Sequence, residues 1–487
     1  MQSKLSVNIP VVARMMGWLL LIESVFLLAP LAAALIYGEV TDMKAFAITV
    51  AATFLCAAMM LSIKPKSTQM SFKDGFLLTS MVWFVFSLFG TIPFLLTGSV
   101  ETFADAYFES ISGFTTTGST VIRDVESLSH AILLWRSVMQ WIGGMGIILF
   151  TLAVTPMLNR NSGVQLFNAE VTGITDTRIR PRVGNTAKSL WGMYGAFTFV
   201  SFILLWIGPM NCFDALCHTL SGVSTGGFST KNNSVAYWDS EYLHLVLILI
   251  MFIGGVNFPF MYRVAKGDFK LLRTNEPFRA YLDMTVFSAA VIGISVFLNG
   301  FSPNLYQSVK FGIFKTIAAM TSTGYSIGSY EEAGPVATVM VFFLMLFGAM
   351  AGSTSGGAKI DRFAMLLKVV KNELHLILHP LIVKTPRYND KPLDKPAVSK
   401  LLAFMTVYSL IFSASTVVLV CFGLPVYDSM FTALESLSNI GLGHGVTGGN
   451  FAALPELCKY FLGFIMVVGR LEIFTVILLF TKSFWIK

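Results

Sequence analysis

The sequence predicts an all-α polytopic membrane protein, in which an N-terminal pair of transmembrane helices precedes four tandem copies of one helical unit. Three observations predict this class: the composition, a series of long apolar runs, and a segment that recurs four times. Of 487 residues, 55% are hydrophobic and only 13% are charged, whereas soluble domains carry about 25% charged residues. Such a chain lacks the polar side chains to cover a hydrated surface, which excludes a soluble enzyme.

Apolar runs long enough to cross a bilayer occur ten times. A transmembrane helix needs about 20 predominantly apolar residues. In chain order the runs are Val11–Tyr37, Ala45–Ile63, Phe76–Leu96, Ala131–Pro156, Leu190–Ile207, Tyr242–Val264, Tyr281–Leu298, Val336–Met350, Leu401–Phe422 and Lys459–Phe480. The first run has no small-residue cleavage signal and predicts a retained helix. The Val336 run is short and meets a glycine-rich stretch, so we expect its downstream half to continue through Ile360–Val370.

Lysine and arginine collect in alternate connections between these runs. They are Lys64, Lys66, Lys73, Arg160, Arg178, Arg180, Arg182, Lys188, Arg263, Lys266, Lys270, Arg273, Arg279 and the basic run from Lys359 to Lys400. The intervening connections carry acids, namely Glu101, Asp105, Asp124, Glu126, Asp239, Glu241, Glu331 and Glu332. Basic loops stay in the cytoplasm, so we expect both termini and every basic loop there. The net charge of +7 therefore needs no nucleic-acid partner. The five cysteines form no CxxC pair and predict neither a disulfide framework nor a metal site.

A short amphipathic segment followed by a stretch rich in threonine, serine and glycine comes after the third, fifth, seventh and ninth runs. The four stretches are Ser112–Thr120 (SGFTTTGST), Ser221–Ser229 (SGVSTGGFS), Ala318–Ser326 (AAMTSTGYS) and Glu435–Gly443 (ESLSNIGLG). One glycine falls in register in all four, at Gly118, Gly227, Gly324 and Gly441. Intervals of roughly 100 residues hold one helix, a re-entrant segment and a second helix.

Aspartates mark the start of the short segments. Asp105, Asp214 and Asp428 stand thirteen positions before the register glycine, and the third copy has Phe311 there. A carboxylate favours a helix N-terminus. Each short helix is therefore expected to begin near the outer surface and to direct its C-terminal end into the membrane.

The recurring stretches predict a cation filter. Irregular backbone is tolerated inside a membrane only where it is buried in protein or lines a watery cavity, and glycine at positive φ lets successive carbonyls point the same way. Four such segments around one axis form rings of oxygen that replace the hydration shell of a monovalent cation. The alternative is a set of outer loops or helix-packing motifs, but four copies at one topological position favour the filter. The predicted filter residues are Thr115, Thr116, Thr117, Gly118, Ser224, Thr225, Gly226, Gly227, Thr321, Ser322, Thr323, Gly324, Ser438, Asn439, Ile440 and Gly441.

Over essentially its whole length the chain resembles the superfamily of potassium transporters that comprises the Trk, Ktr and HKT proteins. Besides the four stretches, the resemblance is carried by Gln140–Ile147 (QWIGGMGI), Gly352–Lys359 (GSTSGGAK) and Gly469–Thr475 (GRLEIFT). The extra N-terminal helix pair resembles the TrkH branch more than the KtrB branch. The resemblance implies potassium uptake across the bacterial inner membrane, with K⁺ as substrate, no covalently bound cofactor and no enzymatic activity. It further implies a homodimer in the lipid bilayer, one pore per subunit, and a cytosolic nucleotide-binding ring protein, sensing NAD, ATP or ADP, as regulator.

The fold class is then four tandem helix–pore-helix–filter–helix repeats around one pore, a potassium-channel-like pseudo-fourfold arrangement. The expected boundaries are 1–70 for the N-terminal helix pair, 71–160, 185–266, 278–376 and 398–487 for the four repeats.

Arg470 lies inside the apolar run Phe461–Phe480. A charge at that depth costs several kcal/mol or more, so it should face a pore or a partner. The alternative is an ion pair with Glu472, but residues two apart on a helix do not face each other. In the family the matching arginine projects into the pore below the filter, which implies an electrostatic barrier to a passing cation.

The stretch Gly348–Gly357 should break its helix, because each glycine costs about 1 kcal/mol relative to alanine in a helix interior. The alternative is a packing face, which is the better interpretation of Gly143, Gly144 and Gly146. In the family a movable intramembrane loop occupies the matching position. The predicted gate residues are Gly348, Gly352, Ser353, Thr354, Gly356, Gly357 and Lys359.

Equivalent places in the short helices hold Glu109, His218, Lys315 and Thr432. A contact between Glu109 and Lys315 is one interpretation. The other is that these side chains tie the short helices to their surroundings. Arg136, near the start of a run, is expected to extend to the outer interface.

Passive and coupled transport both remain open. A proton- or sodium-coupled symporter is the alternative to a channel-like conduit, but the apolar runs offer few carboxylates, chiefly Glu23 and Glu472. No HExxH motif, facing aspartate pair or Ser/His arrangement supports an intramembrane enzyme, and a receptor would not explain four filter-like stretches. The expected preference for potassium over sodium rests on the glycine at all four register positions, because in the family a serine in the first repeat accompanies sodium permeation. The mixed rings, with Gly226, Asn439 and Ile440, predict lower selectivity than identical loops would give.

Overall fold

The computed structural model describes residues 7–65, 70–154, 183–302, 304–382, 385–389 and 391–485. Several predictions fall outside these residues: the end of the fourth apolar run at Pro156, and the basic residues Lys66, Arg160, Arg178, Arg180 and Arg182. Within the described residues, every regular element is a helix except one two-residue antiparallel ladder, in which β1 (Arg387–Tyr388) pairs with β2 (Lys391–Pro392).

The N-terminal helix pair packs tightly because small residues line its contact. Helix α1 (Ile9–Phe26) continues through α2 (Leu28–Tyr37), which ends at Gly38 in the left-handed conformation with φ 73°, and α3 (Val40–Ser62) returns. A Cβ on Gly17 of α1 would lie 3.0 Å from the Ala57 carbonyl oxygen of α3. The pair also packs against the first helix of the first repeat.

The rest of the described chain repeats one order of elements four times: a long helix, a short helix, an extended segment and a second helix. The first repeat contains α4 (Phe72–Thr97), α5 (Phe103–Phe114) and α6 (His130–Val154); the second contains α7 (Val183–Ile207), α8 (Cys212–Val223), α9 (Glu241–Gly254) and α10 (Phe258–Ala265). After α11 (Leu271–Thr274), the third contains α12 (Glu276–Leu298), α13 (Leu305–Met320), α14 (Pro335–Phe347) and α15 (Ile360–Leu378). The fourth contains α16 (Lys395–Cys421), α17 (Val426–Ser438), α18 (Glu456–Arg470) and α19 (Phe474–Ile477), and α20 (Lys482–Trp485) closes the described chain. This is the predicted order.

The short helices begin as the aspartate pattern predicts. Asp105, Asp214 and Asp428 all lie in the first turn of their helix. In α5 the Thr102 side chain accepts a hydrogen bond from the Asp105 backbone N–H, and Asn211 does the same for Asp214 in α8. Asp105 also forms an ion pair at 2.5 Å with Lys459 of α18, so the first repeat is joined to the fourth.

The structure has fewer uninterrupted membrane-spanning helices than the ten apolar runs of the sequence predicted. Within the described residues, six helices are long and apolar enough to cross a membrane, and two further pairs qualify only if each bent pair counts as one span. The prediction that Tyr242–Val264 and Lys459–Phe480 are continuous is wrong. The chain bends by 109° between α9 and α10 and by 112° after α18.

The second helix is interrupted in every repeat, whereas the sequence predicted only the third interruption. Helix α6 contains a non-helical residue, Gly146, with φ 38°, so packing alone does not account for this glycine. After α18 the break falls at Glu472 and Ile473, with φ 52° and 67°. Positive φ at a β-branched residue is uncommon. The breaks in the second and fourth repeats lie beside the glycine-rich stretch of the third, since Asn257 Nδ2 donates to the Ala351 carbonyl at 2.5 Å and Arg470 donates to Thr354.

Candidate functional site

The four register glycines meet in a closed ring. A Cβ built on each of them would lie against the backbone of the next segment in chain order, and the fourth returns to the first. The closest atoms are the Gly226 carbonyl oxygen at 2.1 Å for Gly118, the Thr323 carbonyl oxygen at 1.8 Å for Gly227, the Gly441 nitrogen at 3.3 Å for Gly324, and the Gly118 carbonyl carbon at 2.4 Å for Gly441. The structure therefore brings the four predicted segments around one axis, where three of the four positions leave no room for a side chain.

Left-handed backbone recurs in register in these segments. The residue two positions before each register glycine has positive φ: Thr116 at 56°, Thr225 at 55°, Ser322 at 55° and Asn439 at 53°. Gly118, Gly227 and Gly324 follow at 82°, 80° and 78°. Non-glycine residues in this conformation cost roughly 1–2 kcal/mol each, so the surrounding structure must hold them there. Sequence reasoning assigned positive φ to the glycines alone and missed these residues.

The fourth segment departs from the pattern. Gly441 was expected to need positive φ, and that expectation is wrong. In this segment the left-handed residues are Asn439, which directly follows α17, and Gly443 with φ 63°. Asparagine tolerates this conformation because its short polar side chain can hydrogen-bond locally. The Asn439 amide donates to Thr117 Oγ1 at 3.1 Å and to the Met466 carbonyl at 2.8 Å. Gly441 is needed instead for its close approach to Gly118.

Gln140 of α6 holds the second segment on both sides of its register glycine. Its Nε2 donates to the Gly226 carbonyl at 2.8 Å, and its Oε1 accepts from the Phe228 backbone N–H at 3.1 Å. The Gly226 carbonyl thus accepts a hydrogen bond from protein. The sequence analysis found Gln140 in a family motif but assigned it no role. No spacing rule could have predicted these hydrogen bonds, because Gln140 and the second segment are far apart in the sequence.

Arg136 is not at the outer interface, and the prediction that it extends there is wrong. Its side chain is 2% exposed and forms an ion pair, Nε to Oε1 at 2.8 Å, with Glu109, which is fully buried. The guanidinium also lies 4.1 Å from the centre of the Phe228 ring. A buried charge is retained when it is paired and hydrogen-bonded, and Glu109 supplies the partner. The suggested contact between Glu109 and Lys315 is therefore also wrong.

An open cavity of about 510 Å³ lies at the outer end of the ring. All four register glycines line it, together with residues that follow them, including Thr120, Ser229 and Ser326. The cavity therefore opens at the end of the ring that lies beyond the register glycines.

The glycine-rich stretch contacts the segments at their other end, through residues that precede the register glycines. The Gly356 backbone N–H donates to Ser322 Oγ at 2.7 Å, and Thr225 Oγ1 donates to Thr354 Oγ1 at 3.2 Å. A Cβ on Gly356 would lie 2.0 Å from the Ser438 carbonyl oxygen. The stretch therefore touches three of the four segments opposite the outer cavity.

The stretch takes an irregular path that its residues permit. Gly348, Gly352 and Gly357 have φ of 65°, 79° and 80°. Ser353 Oγ donates to the Met350 carbonyl at 2.7 Å. Lys359, which directly precedes α15, is left-handed at φ 73° and donates from Nζ to the Ser355 carbonyl.

Arg470 lies at the same end as the stretch. Its guanidinium donates to the Thr354 carbonyl at 2.7 Å and to the Gly143 carbonyl of α6 at 2.5 Å. Glu472 forms an ion pair with Arg362 of α15. Gly143 itself packs as predicted, because a Cβ there would lie 1.9 Å from the Phe114 carbonyl oxygen.

Four re-entrant segments around one axis, with an outer cavity above and a loop and an arginine below, define a channel-like membrane transport protein. The family model TrkH, described as a cation transport protein, matches residues 42–485, and the chain belongs to this family.

Relatives and a solved structure agree over nearly the whole length. The chain is 31% identical over 482 residues to the Trk system potassium uptake protein TrkH of Salmonella typhimurium, covering 97% of this chain and 99% of the relative. It is 32% identical over 483 residues to the Trk system potassium uptake protein TrkG of Escherichia coli, covering 98% and 99%. The crystal structure of the potassium transporter TrkH from Vibrio parahaemolyticus matches with a TM-score of 0.88 at 30% identity, covering 99% of this chain and 100% of that one. The predicted family and fold class are confirmed.

Proposed function

We propose that this protein takes up potassium across the bacterial inner membrane through a filter formed by its four Thr/Ser/Gly segments. The observation that carries the proposal is the closed ring of Gly118, Gly227, Gly324 and Gly441, in which each glycine abuts the next segment. Oxygen rings at such a constriction replace the hydration shell of a monovalent cation. Relatives named as potassium uptake proteins support K⁺ as the substrate. The function requires no covalently bound cofactor and no catalytic residue.

The glycine-rich stretch and Arg470 control passage in this proposal. The stretch rests against Thr225, Ser322 and Ser438 at the inner end of the filter. Arg470 is bonded to the same stretch and places a positive charge there, and a cation must pass such a charge at a Coulomb cost that is large where water is scarce. Movement of the stretch requires free backbone angles, which its left-handed glycines supply.

The regulatory partner, the dimer and the orientation complete the proposal. Helix α15 follows the gate stretch directly and exposes apolar side chains, with Leu367 70%, Leu374 58% and Ile377 74% exposed. Exposed apolar faces mark protein or membrane contacts, and the protein contact that we propose here is with a cytosolic nucleotide-binding ring protein or a second copy of this chain at the inner surface. The alternating basic loops support cytoplasmic termini. The units folding around the pore are residues 71–160, 185–266, 278–376 and 398–487.

Ion flux into proteoliposomes tests the proposal. Purified protein is reconstituted at a fixed voltage, and K⁺ influx is compared with Na⁺ influx per inserted molecule. We expect K⁺ influx to exceed Na⁺ influx, and Gly227→Ala to reduce the ratio, because its Cβ would lie 1.8 Å from the Thr323 carbonyl oxygen. Gly300→Ala is the matched control, since Gly300 also has positive φ but has nothing within 4 Å of the place that a Cβ would take. Equal influx of both ions, unaffected by either substitution, contradicts the filter.

Proton-coupled symport is the second candidate, and one observation favours it. Glu23 of α1 is fully buried, and within the described residues neither of its carboxylate oxygens has a hydrogen-bond partner. Intramembrane carboxylates in transporters often carry protons. If Glu23 couples transport, Glu23→Gln retains K⁺ flux driven by voltage but loses its response to an imposed pH gradient. A parent protein whose K⁺ influx ignores the pH gradient rules coupling out.

A further inference from the structure

Side chains at equivalent positions of the short helices form hydrogen bonds to residues that follow the filter segments. The position nine residues before each register glycine lies on the short helix, and the position two residues after it lies beyond the filter. In three repeats a hydrogen bond joins these two positions. The pairs are Glu109 with Thr120 Oγ1 at 3.0 Å, His218 Nε2 with Ser229 Oγ at 3.0 Å, and Lys315 Nζ with Ser326 Oγ at 2.9 Å.

The fourth repeat lacks this bond. Its later position is Gly443, which has no side chain, and Thr432 on the helix bonds to Thr447 Oγ1 at 3.3 Å instead. The Gly443 backbone N–H donates to Glu435 at 2.8 Å. We call each of the three hydrogen-bonded pairs, Glu109–Thr120, His218–Ser229 and Lys315–Ser326, a clamp. The fourth segment has no such clamp and is held through its backbone.

The three clamps share geometry but differ in charge. Glu109 is neutralised by its ion pair with Arg136. The His218 Nδ1 lies 2.8 Å from the Asp214 carbonyl, so that nitrogen is the donor and Nε2 is left to meet Ser229. Lys315 is 1% exposed, and within the described part of the chain no carboxylate lies within ion-pair distance of it. It faces the rings of Phe311 and Tyr330 at 5.8 and 5.7 Å.

Besides its hydrogen bond to Ser326, Lys315 also lines the proposed ion pathway. The outer cavity of about 510 Å³ is lined by Lys315, by Ser326 and by Gly324. When its amine is protonated, Lys315 places a positive charge at the outer mouth that repels a cation entering the filter, and at an effective dielectric constant of about 20 this repulsion persists over several ångströms. Two separable effects follow: the hydrogen bond positions the third segment, and the charge weakens cation binding there.

We propose that Lys315 is a specificity-determining residue of the third segment, positioning Gly324 through Ser326 and lowering the K⁺ affinity of the filter's outer end. This inference rests on the proposed filter. The clamp distinguishes the third segment from the first, where the charge is cancelled, and from the fourth, where no side-chain clamp exists.

Three substitutions separate the two effects. Lys315→Gln retains a donor for Ser326 and removes the charge, so the apparent K⁺ affinity should rise by about tenfold, a change of about 1.4 kcal/mol, with the K⁺/Na⁺ flux ratio retained. Ser326→Ala removes the hydrogen-bond partner of Lys315, together with the Ser326 Oγ bonds to the Gly328 backbone, and retains the amine, so the flux ratio should fall severalfold without a gain in affinity. Lys315→Met should show both effects.

The control is Lys310→Met, which removes a lysine from the same helix, five residues earlier and outside the clamp; it should change neither quantity. K⁺ and Na⁺ fluxes are measured in proteoliposomes against ion concentration and normalised to inserted protein. If Lys315→Met does not insert, Ser326→Ala still tests the positioning role and Lys315→Gln the charge.

The outcomes are distinguishable from failure of the filter itself. If Gly227→Ala lowers the flux ratio while the Lys315 and Ser326 variants keep the parent's affinity and flux ratio, the role of Lys315 is wrong and the filter stands. Unchanged ratios in every variant, including Gly227→Ala, overturn the filter as well.

Discussion

Replacing Gly118 with serine should weaken discrimination against sodium. Gly118 has φ 82°, and a Cβ built on it would lie 2.1 Å from the Gly226 carbonyl oxygen. An ordinary van der Waals contact needs about 3.5 Å between the two atoms, so the second segment must move. The Gly226 carbonyl accepts a 2.8 Å hydrogen bond from Gln140, and leaving such a buried group unsatisfied costs about 1–3 kcal/mol. We expect the K⁺/Na⁺ permeability ratio to fall at least about tenfold, the equivalent of about 1.4 kcal/mol.

The assay is the permeability ratio measured from K⁺ and Na⁺ fluxes in voltage-clamped proteoliposomes. A graded series sharpens it, because the built Cβ is closest at Gly227, at 1.8 Å, and least crowded at Gly324, at 3.3 Å. The loss of selectivity should follow that order when alanine is placed at each site. Gly300→Ser, at an open position with φ 68°, should leave the ratio unchanged. Equal ratios across the series, or the largest loss at Gly324, would refute the reasoning.

Three further predictions use the same reconstituted protein. Arg470→Ala should raise K⁺ flux per inserted molecule, because it removes a positive charge and the hydrogen bond to the gate stretch; a loss of inserted protein with no gain per molecule contradicts a barrier. Deleting Ala351 to Ser355 should open the pore without the regulatory partner and abolish any nucleotide response; a deletion variant that inserts normally yet conducts and responds like the parent shows that the break only packs. Arg362→Ala and Glu472→Ala should each lower stability by up to about 3 kcal/mol, and the double variant by less than the sum, as measured by thermal unfolding in detergent. Arg263→Ala, which removes an ion pair with 59% and 41% exposed side chains, should have little effect, and equal shifts for Arg263→Ala and Arg362→Ala argue against a buried pair.

Most of the fold follows from local sequence patterns. The apolar runs, the repeated stretches and the first-turn aspartates each depend on a few neighbouring residues, and the structure places Asp105, Asp214 and Asp428 in the first turn of the short helices. The break at Gly348–Lys359 was also predictable, because glycine is concentrated there. The break after α18 was not, since Leu471, Glu472 and Ile473 contain no glycine or proline and the run looks like continuous apolar helix.

The candidate site divides in the same way. The segments and their register glycines could be recognised from sequence because only glycine permits such close backbone approach. The pairing of Glu109 with Arg136 could not, since the two lie on different helices and a buried charge reveals its partner only once packing is known. Gln140 is similar: its amide bonds to Gly226 and Phe228 far along the chain.

The sequence by itself determined the membrane class, the fourfold repeat and the four segments that carry the register glycines, because bilayer thickness, helix propensity and glycine geometry act on short stretches of chain. Tertiary structure alone decided which helices break, which polar residues become left-handed, and which buried charges meet. These features occur where four segments that are distant in the sequence pack closely around one axis. There the loss of a few helical hydrogen bonds is offset by contacts between residues separated by 100 or more positions, such as Arg470 with Thr354 and Gly143.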